Sequence, residues 1–256
     1  MGRPFFSFFF LFFLSPSLLH QDPLAFPFFI VWNVGQGQWA TSVEAQTCHH
    51  FDMGGEKNPL SRLRSLCGTK NNVLYLSHWD WDHIGFSFPA RRVLQKACLR
   101  VSPLGPSSPR KMKLRTLYPP CLDTPDPERF SWHELTRFTA QDLKKKSNDL
   151  SHVLVARKKY LLPGDSSSFQ EKIWGPQAKD LGTVRVLLLG HHGSKTSTSE
   201  ELLRRLPGLK LAVASARRSR YGHPHPEVVA RLRKFKIPLL RTEDWGNLWF
   251  QEGRSP

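Results

Sequence analysis

The sequence predicts an α/β fold with a functional site at the edge of a sheet. Three observations predict it. Apolar runs of strand length recur at 28–34, 72–76, 150–155, 184–189 and 209–215. Helical patterns stand between and after them, at 59–66 and 227–235. The strand ends then repeatedly deliver an Asp or a His beside glycine, which lets the backbone turn sharply at each such residue.

Taken in order, residues 1–14 place one positive charge before a run of about ten apolar residues, the length of a signal-peptide core and short for a membrane span. Ser15-Pro16 ends the run, and no clean small-residue cleavage site follows. A signal peptide, an uncleaved anchor and a start codon set too early all fit. The protein is therefore expected to be exported or membrane-associated if 5–14 acts as a signal, and cytoplasmic otherwise. Residues 1–27 form this apolar segment and 28–256 a single folded domain. Gly35-Gln36-Gly37-Gln38 is a tight turn after the first strand, and 39–43 could return as a hairpin. Asp52 ends the next strand, before Gly54-Gly55. Residues 91–100 are basic and partly helical in pattern. The stretch 100–147, with Pro119-Pro120 and Thr124-Pro125-Asp126-Pro127, reads as irregular. From 150 the strands resume, closing on Gly164-Asp165, Gly190-His191-His192-Gly193 and Gly222-His223-Pro224.

The chemistry concentrates in Leu76-Ser77-His78-Trp79-Asp80-Trp81-Asp82-His83-Ile84-Gly85. It reads as a tight loop at a strand end. In extended or turning backbone, residues two apart point the same way, so His78, Asp80 and Asp82 converge and His83 turns in beside them. Mixed imidazole and carboxylate donors suit zinc, manganese or iron rather than calcium. With Asp165, His191 or His192, and His223, there are enough donors for two divalent cations sharing one carboxylate. Asp165 is the candidate bridge, because a carboxylate offers two oxygens and an imidazole one free nitrogen. Two such cations, about 3.5–4 Å apart, can hold a hydroxide and support in-line displacement at phosphorus. Asp82, His83 and Asp165 are the candidate catalytic residues.

Lys plus Arg total 37 against 21 Asp plus Glu, a net charge of +16 that attracts polyanions, nucleic acid above all. Ser194, Lys195, Arg217, Arg218 and Arg220 are candidate phosphate contacts. The hydrophobic fraction, 39%, excludes a wholly disordered chain. Cys48, Cys67, Cys98 and Cys121 form no C-x-x-C pair; disulfides are allowed but not required, and none counts as a metal ligand. No phosphate-binding loop, nucleophile elbow or dinucleotide fingerprint is present.

Asn33-Val34-Gly35-Gln36-Gly37, Asp52-Met53-Gly54-Gly55, His78 to Gly85, Asn148 to Ser151 with Gly164-Asp165, His191-His192-Gly193-Ser194 and Tyr221 to Pro224 occur in that order. Over about 28–250, the chain resembles the metallo-β-lactamase superfamily, and within it the hydrolase domain of ComEC-type DNA-uptake competence proteins. The resemblance implies a four-layer αββα sandwich with metals at the sheet edge. It implies His78, Asp80, Asp165 and one of His191 or His192 around one metal, and Asp82, His83, Asp165 and His223 around the other. Asp52 would hold ligands in place from behind. Asn33 and Gln38 stand where the family usually has aspartates, and Phe86 where a second glycine usually follows Gly85. The multi-helix channel of those proteins is absent, so the chain has no translocation channel of its own. The expected function is a two-metal phosphodiesterase or nuclease acting on DNA. The alternatives are a hydrolase of a small phosphodiester or lactone, and a non-catalytic polyanion-binding protein.

Overall fold

The computed structural model describes residues 27–122, 130–133 and 146–252. Of the expected apolar segment at 1–27, residues 1–26, and with them the export reading, lie outside the described residues. The first half runs β1 (Phe28–Val31), β2 (Ala40–Val43), β3 (Thr47–Phe51), α1 (Leu60–Cys67), β4 (Asn71–Tyr75), α2 (Trp81–Ile84), α3 (Ser87–Ala90) and β5 (Lys96–Val101). Then come α4 (Pro109–Met112), α5 (Leu114–Leu117), β6 (Phe130–His133), β7 (Val153–Ala156), β8 (Tyr160–Leu162) and α6 (Ser168–Trp174). The chain continues with β9 (Val186–Leu188), α7 (Glu200–Arg204), β10 (Leu211–Ala214), α8 (Arg218–Tyr221) and α9 (Pro226–Lys234). It finishes with β11 (Leu239–Arg241), α10 (Thr242–Trp245) and β12 (Leu248–Gln251).

Two six-stranded sheets form, ordered β12-β1-β2-β3-β4-β5 and β11-β10-β9-β8-β7-β6. In the first, β3, β4 and β5 are parallel; in the second, β8, β9, β10 and β11 are. The strands are apolar on both faces because both faces are covered. In β1, Phe29 and Val31 enter the core between the sheets, while Ile30 packs outward with Leu63 of α1. In β8, Tyr160 and Leu162 face the other sheet, while Leu161 packs with Trp174 of α6 and Val228 of α9. Three cores between four layers make the αββα sandwich expected from the sequence.

Two expectations change. Residues 96–101 form β5 rather than a helix, because pairing with β4 overrides a weak helical pattern. The stretch read as irregular carries α4, α5 and β6. All four cysteines are paired: Cys48–Cys67 ties β3 to α1, and Cys98–Cys121 ties β5 to the segment after α5. Closing loops of 19 and 23 residues, each bridge is expected to contribute about 3 kcal/mol by restricting the unfolded chain. Replacing Cys48 and Cys67 together by alanine should lower stability by that amount in urea titration. Free thiols titrating in the unfolded, unreduced protein would contradict the pairing.

Candidate metal centre

The site gathers where parallel strands end, the usual place for ligands in such sheets. β3 ends on Asp52, β4 leads into His78 to His83, β8 into Asp165, and β9 into His191 and His192. The His78–His83 segment is not wholly extended: Asp80 caps a helical turn, α2, that carries Asp82 and His83. Helical spacing turns His83 fully inward while Asp82 stays partly exposed.

Asp165 divides the cluster. Its Oδ2 lies 3.7 Å from Nε2 of His78 and 3.6 Å from Nε2 of His191. Its Oδ1 lies 2.9 Å from Nε2 of His83 and 3.6 Å from Nε2 of His192. Asp80 joins the first set, 3.6 Å from His78, and Asp82 the second, 3.2 Å from His192. Two overlapping groups of three donors lie within metal-sharing distance, His78, His83 and Asp165, and Asp82, His83 and His192, so that His83 belongs to both.

The hydrogen bonds behind the rings assign their tautomers. Nδ1 of His83 donates to Oδ2 of Asp52 at 2.8 Å, and Nδ1 of His192 to the Ser215 carbonyl at 3.1 Å. The Ser77 hydroxyl donates to Asp52 at 2.8 Å and therefore accepts from Nδ1 of His78 at 2.9 Å. The Asn148 amide donates to Nε2 of His191 at 3.5 Å. The Nε2 of each imidazole thus faces Asp165. Those of His83 and His192 lie 3.2 Å apart. Nε2 of His78 is buried without a hydrogen-bond partner. A cation would satisfy the orphaned nitrogen, and this donor set fits divalent transition metals.

The charges agree. Burial pushes the Asp165 carboxyl up, but His83 and His192 outweigh it and hold the group well below the usual carboxylate range. The Asp82 carboxyl is held down likewise, its burial outweighed by the His192 hydrogen bond and by His83. Burial opposes charge on His83, yet Asp165 and Asp52 raise that imidazole well above its ordinary value. In the metal-free site a proton takes the place of a cation there.

Backbone strain marks the same place. His191 and His192 both adopt left-handed conformations, with φ of 48° and 56°. Each costs roughly 1–3 kcal/mol, and the turn aims the two rings at opposite oxygens of Asp165. Asp52, also left-handed at φ 53°, accepts from Gln38, the Ser77 amide and hydroxyl, and His83.

The sequence reading left one of His191 or His192 for the first metal and His223 for the second. The structure brings His191 to the first set and His192 to the second. His223 lies at the border of the cluster, outside the two tight donor groups, its Nδ1 3.3 Å from the Gln36 amide and its ring 6.2 Å from that of His191. Two rings that alternate in extended backbone point elsewhere in a left-handed turn. Ser77, which links Asp52 to His78, escaped the sequence reading; its only signal was its position directly before the first ligand candidate. The Asn33 side chain accepts from the Gly35 amide at 3.4 Å. Phe86 stacks on Trp39 in the outer core.

The phosphate candidates are partly engaged. Arg217 and Arg220 pair with Glu56 at 3.2 and 3.3 Å, and the Arg218 amide donates to Glu243. Arg217 also donates its amide to Gln36, which reaches His223, so this run borders the cluster. Ser194 bonds Thr196, and the Lys195 side chain is exposed.

No protein-family model matches the chain. Among solved structures it is similar to the metallo-β-lactamase fold protein YhfI from Bacillus subtilis (TM-score 0.53, 10% identity), over 88% of this chain and 100% of that one. It is also similar to a mutant of the CmlA β-hydroxylase (TM-score 0.55, 12% identity), over 88% of this chain and 54% of that one. The chain has the metallo-β-lactamase fold. In sequence it is 27% identical over 239 residues to competence protein ComA of Neisseria gonorrhoeae, covering 88% of this chain and 32% of that protein. It is 40% identical over 82 residues to recombination protein 2 of Haemophilus influenzae, covering 32% of this chain. It is 38% identical over 66 residues to ComE operon protein 3 of Bacillus subtilis, covering 26% of this chain. The chain spans at most a third of the length of these curated relatives, 32%, 10% and 8% respectively.

Proposed function

We propose that the chain is a metal-dependent hydrolase, a phosphodiesterase acting on DNA. The observation that carries this reading is Asp165, whose two oxygens face two separate sets of donors. His78, Asp80, His191 and Asp165 would hold one divalent cation; Asp82, His83, His192 and Asp165 would hold the other. When bound, such a pair supplies an activated water near neutral pH and offsets charge on a phosphodiester. The protein's own part is orientation. Asp52 and Ser77 fix the rings of His83 and His78, and the Ser215 carbonyl fixes that of His192.

The DNA assignment rests on the +16 charge and on sequence likeness to proteins named for competence and recombination. An exported position is supported by the disulfides, which suit an oxidising compartment. Among the described residues, no helix is long and apolar enough to cross a membrane.

Protein purified without chelator is expected to carry about two transition metals per chain by elemental analysis. With Mn²⁺ it should cleave plain DNA faster than bis(p-nitrophenyl) phosphate. Cleavage of the small ester alone would favour a small-substrate hydrolase. Metal without turnover of either would leave a polyanion-binding protein, and folded protein that takes up no metal would overturn the site.

A further inference from the structure

Between Asp80 and Asp82 stands Trp81, and it is not a core residue. Its neighbour Trp79 is 2% exposed, donates its indole N–H to the Gly105 carbonyl and belongs to the outer core. Trp81 is 42% exposed. Its backbone position is fixed by α2, the turn that also carries Asp82 and His83. The side chains of Asp80 and Asp82, each 38% exposed, are the open side of a cluster whose His78, His83 and Asp165 are buried. The indole stems from the residue between these two carboxylates, on the turn that borders the open side.

Two cations attend it. The Arg110 guanidinium lies 5.1 Å from the ring centroid and the Lys111 ammonium 5.4 Å. Both belong to α4, which Ser108 caps and Pro109 starts. Among the described residues, no carboxylate pairs with Arg110, Lys111 or Lys113. This contrasts with Arg217 and Arg220, which share Glu56. Phe88 lies 5.7 Å from the Trp81 ring and, with Arg110 and Lys113, lines an open pocket beside it. An exposed aromatic flanked by unneutralised cations is the combination that binds single strands: bases stack on the ring and cations meet the phosphates.

We propose that Trp81, with Arg110 and Lys111, is a stacking platform for one base of a single-stranded nucleic acid entering the metal cluster. In a duplex the bases are stacked on each other and offer no free face. In a single strand a base can splay onto the indole, Arg110 and Lys111 moving to the flanking phosphates. The inference deepens the phosphodiesterase reading by naming the form of its substrate, and rests on that reading only for the phosphate that reaches the metals.

The test measures binding in chelator, where no cleavage occurs, by anisotropy of a labelled thymidine strand of about eight nucleotides. An abasic strand of equal length and a duplex are the controls. The native protein is expected to prefer the thymidine strand over the abasic one roughly 5- to 150-fold, the range for stacking one base. Trp81→Ala should bring the two affinities together, and Trp81→Phe should keep most of the preference. Arg110→Gln with Lys111→Gln should weaken both strands and flatten the dependence on salt. Thermal melting of each variant shows whether it is folded. A base preference that survives Trp81→Ala in folded protein, or a duplex bound as tightly as the single strand, would overturn the platform. Base-dependent binding with no cleavage on adding Mn²⁺ would support the platform and overturn the phosphodiesterase reading.

Discussion

Asp165→Ala is expected to lose both metals and to lower DNA cleavage on the order of a thousandfold, about 4 kcal/mol of transition-state stabilisation. One side chain serves both donor sets, so its loss is not confined to one. Without it, His78 and His191 lose the oxygen at 3.7 and 3.6 Å, and His83 loses the one at 2.9 Å. Asp52→Asn should do less, roughly a 10- to 100-fold loss of metal affinity, because it orients a ligand without contacting the metal. The field of Asp165 and Asp52 also holds a proton on metal-free His83 above the ordinary imidazole range. Metal must displace that proton, so affinity should rise with pH through the metal-free pKa, and loading should release acid in weak buffer. Metal analysis of the two variants side by side checks the prediction. Full metal content in folded Asp165→Ala would remove the bridge from the mechanism.

Gly54→Ala is expected to be almost as damaging, although Gly54 carries no chemistry. A Cβ there would fall far inside contact with the backbone carbonyl of Asp82 and the amide of His83. Backbone cannot rotate away as a long side chain can, so the turn that carries both candidate ligands must shift. Two bonds hold that turn from the same side, the Met53 amide to the His83 carbonyl at 2.6 Å and the Gln38 amide to the Asp82 carbonyl at 2.9 Å. Overpacking against fixed backbone costs about 3 kcal/mol. A ligand moved by about 1 Å costs on the order of a hundredfold in rate. Urea denaturation and cleavage assays on one preparation should show both losses. Native stability and rate would mean that the turn gives way more easily than its hydrogen bonds imply.

The strands and most members of the candidate cluster were legible because both are written locally. An apolar run such as Phe28 to Val31 forms a strand wherever two sheets bury it, and His and Asp beside glycine mark its end. The division of donors was not legible. It depends on two consecutive left-handed residues at 191 and 192, which reverse the alternation that extended backbone would impose. The helical turn at Trp81–Ile84 likewise replaced an assumed loop, and it is what separates Trp81 from the core that takes Trp79. Charge counting showed the Arg217–Arg220 run but not its partner, since Glu56 lies far away in sequence and meets it only in the folded chain. The disulfides were hidden for the same reason, because spacing alone does not bring β3 against α1.

Each donor group takes its third member from the other half of the chain: Asp165 joins His78 and His83, and His192 joins Asp82 and His83. A nascent chain that has emerged only as far as β5 already displays four candidate ligand side chains but no complete set. A cation site built as proposed would close only after β9 has been made and has docked. Metal capture is thereby tied to the end of assembly, and an ion held in both sets reports that the two sheets have met.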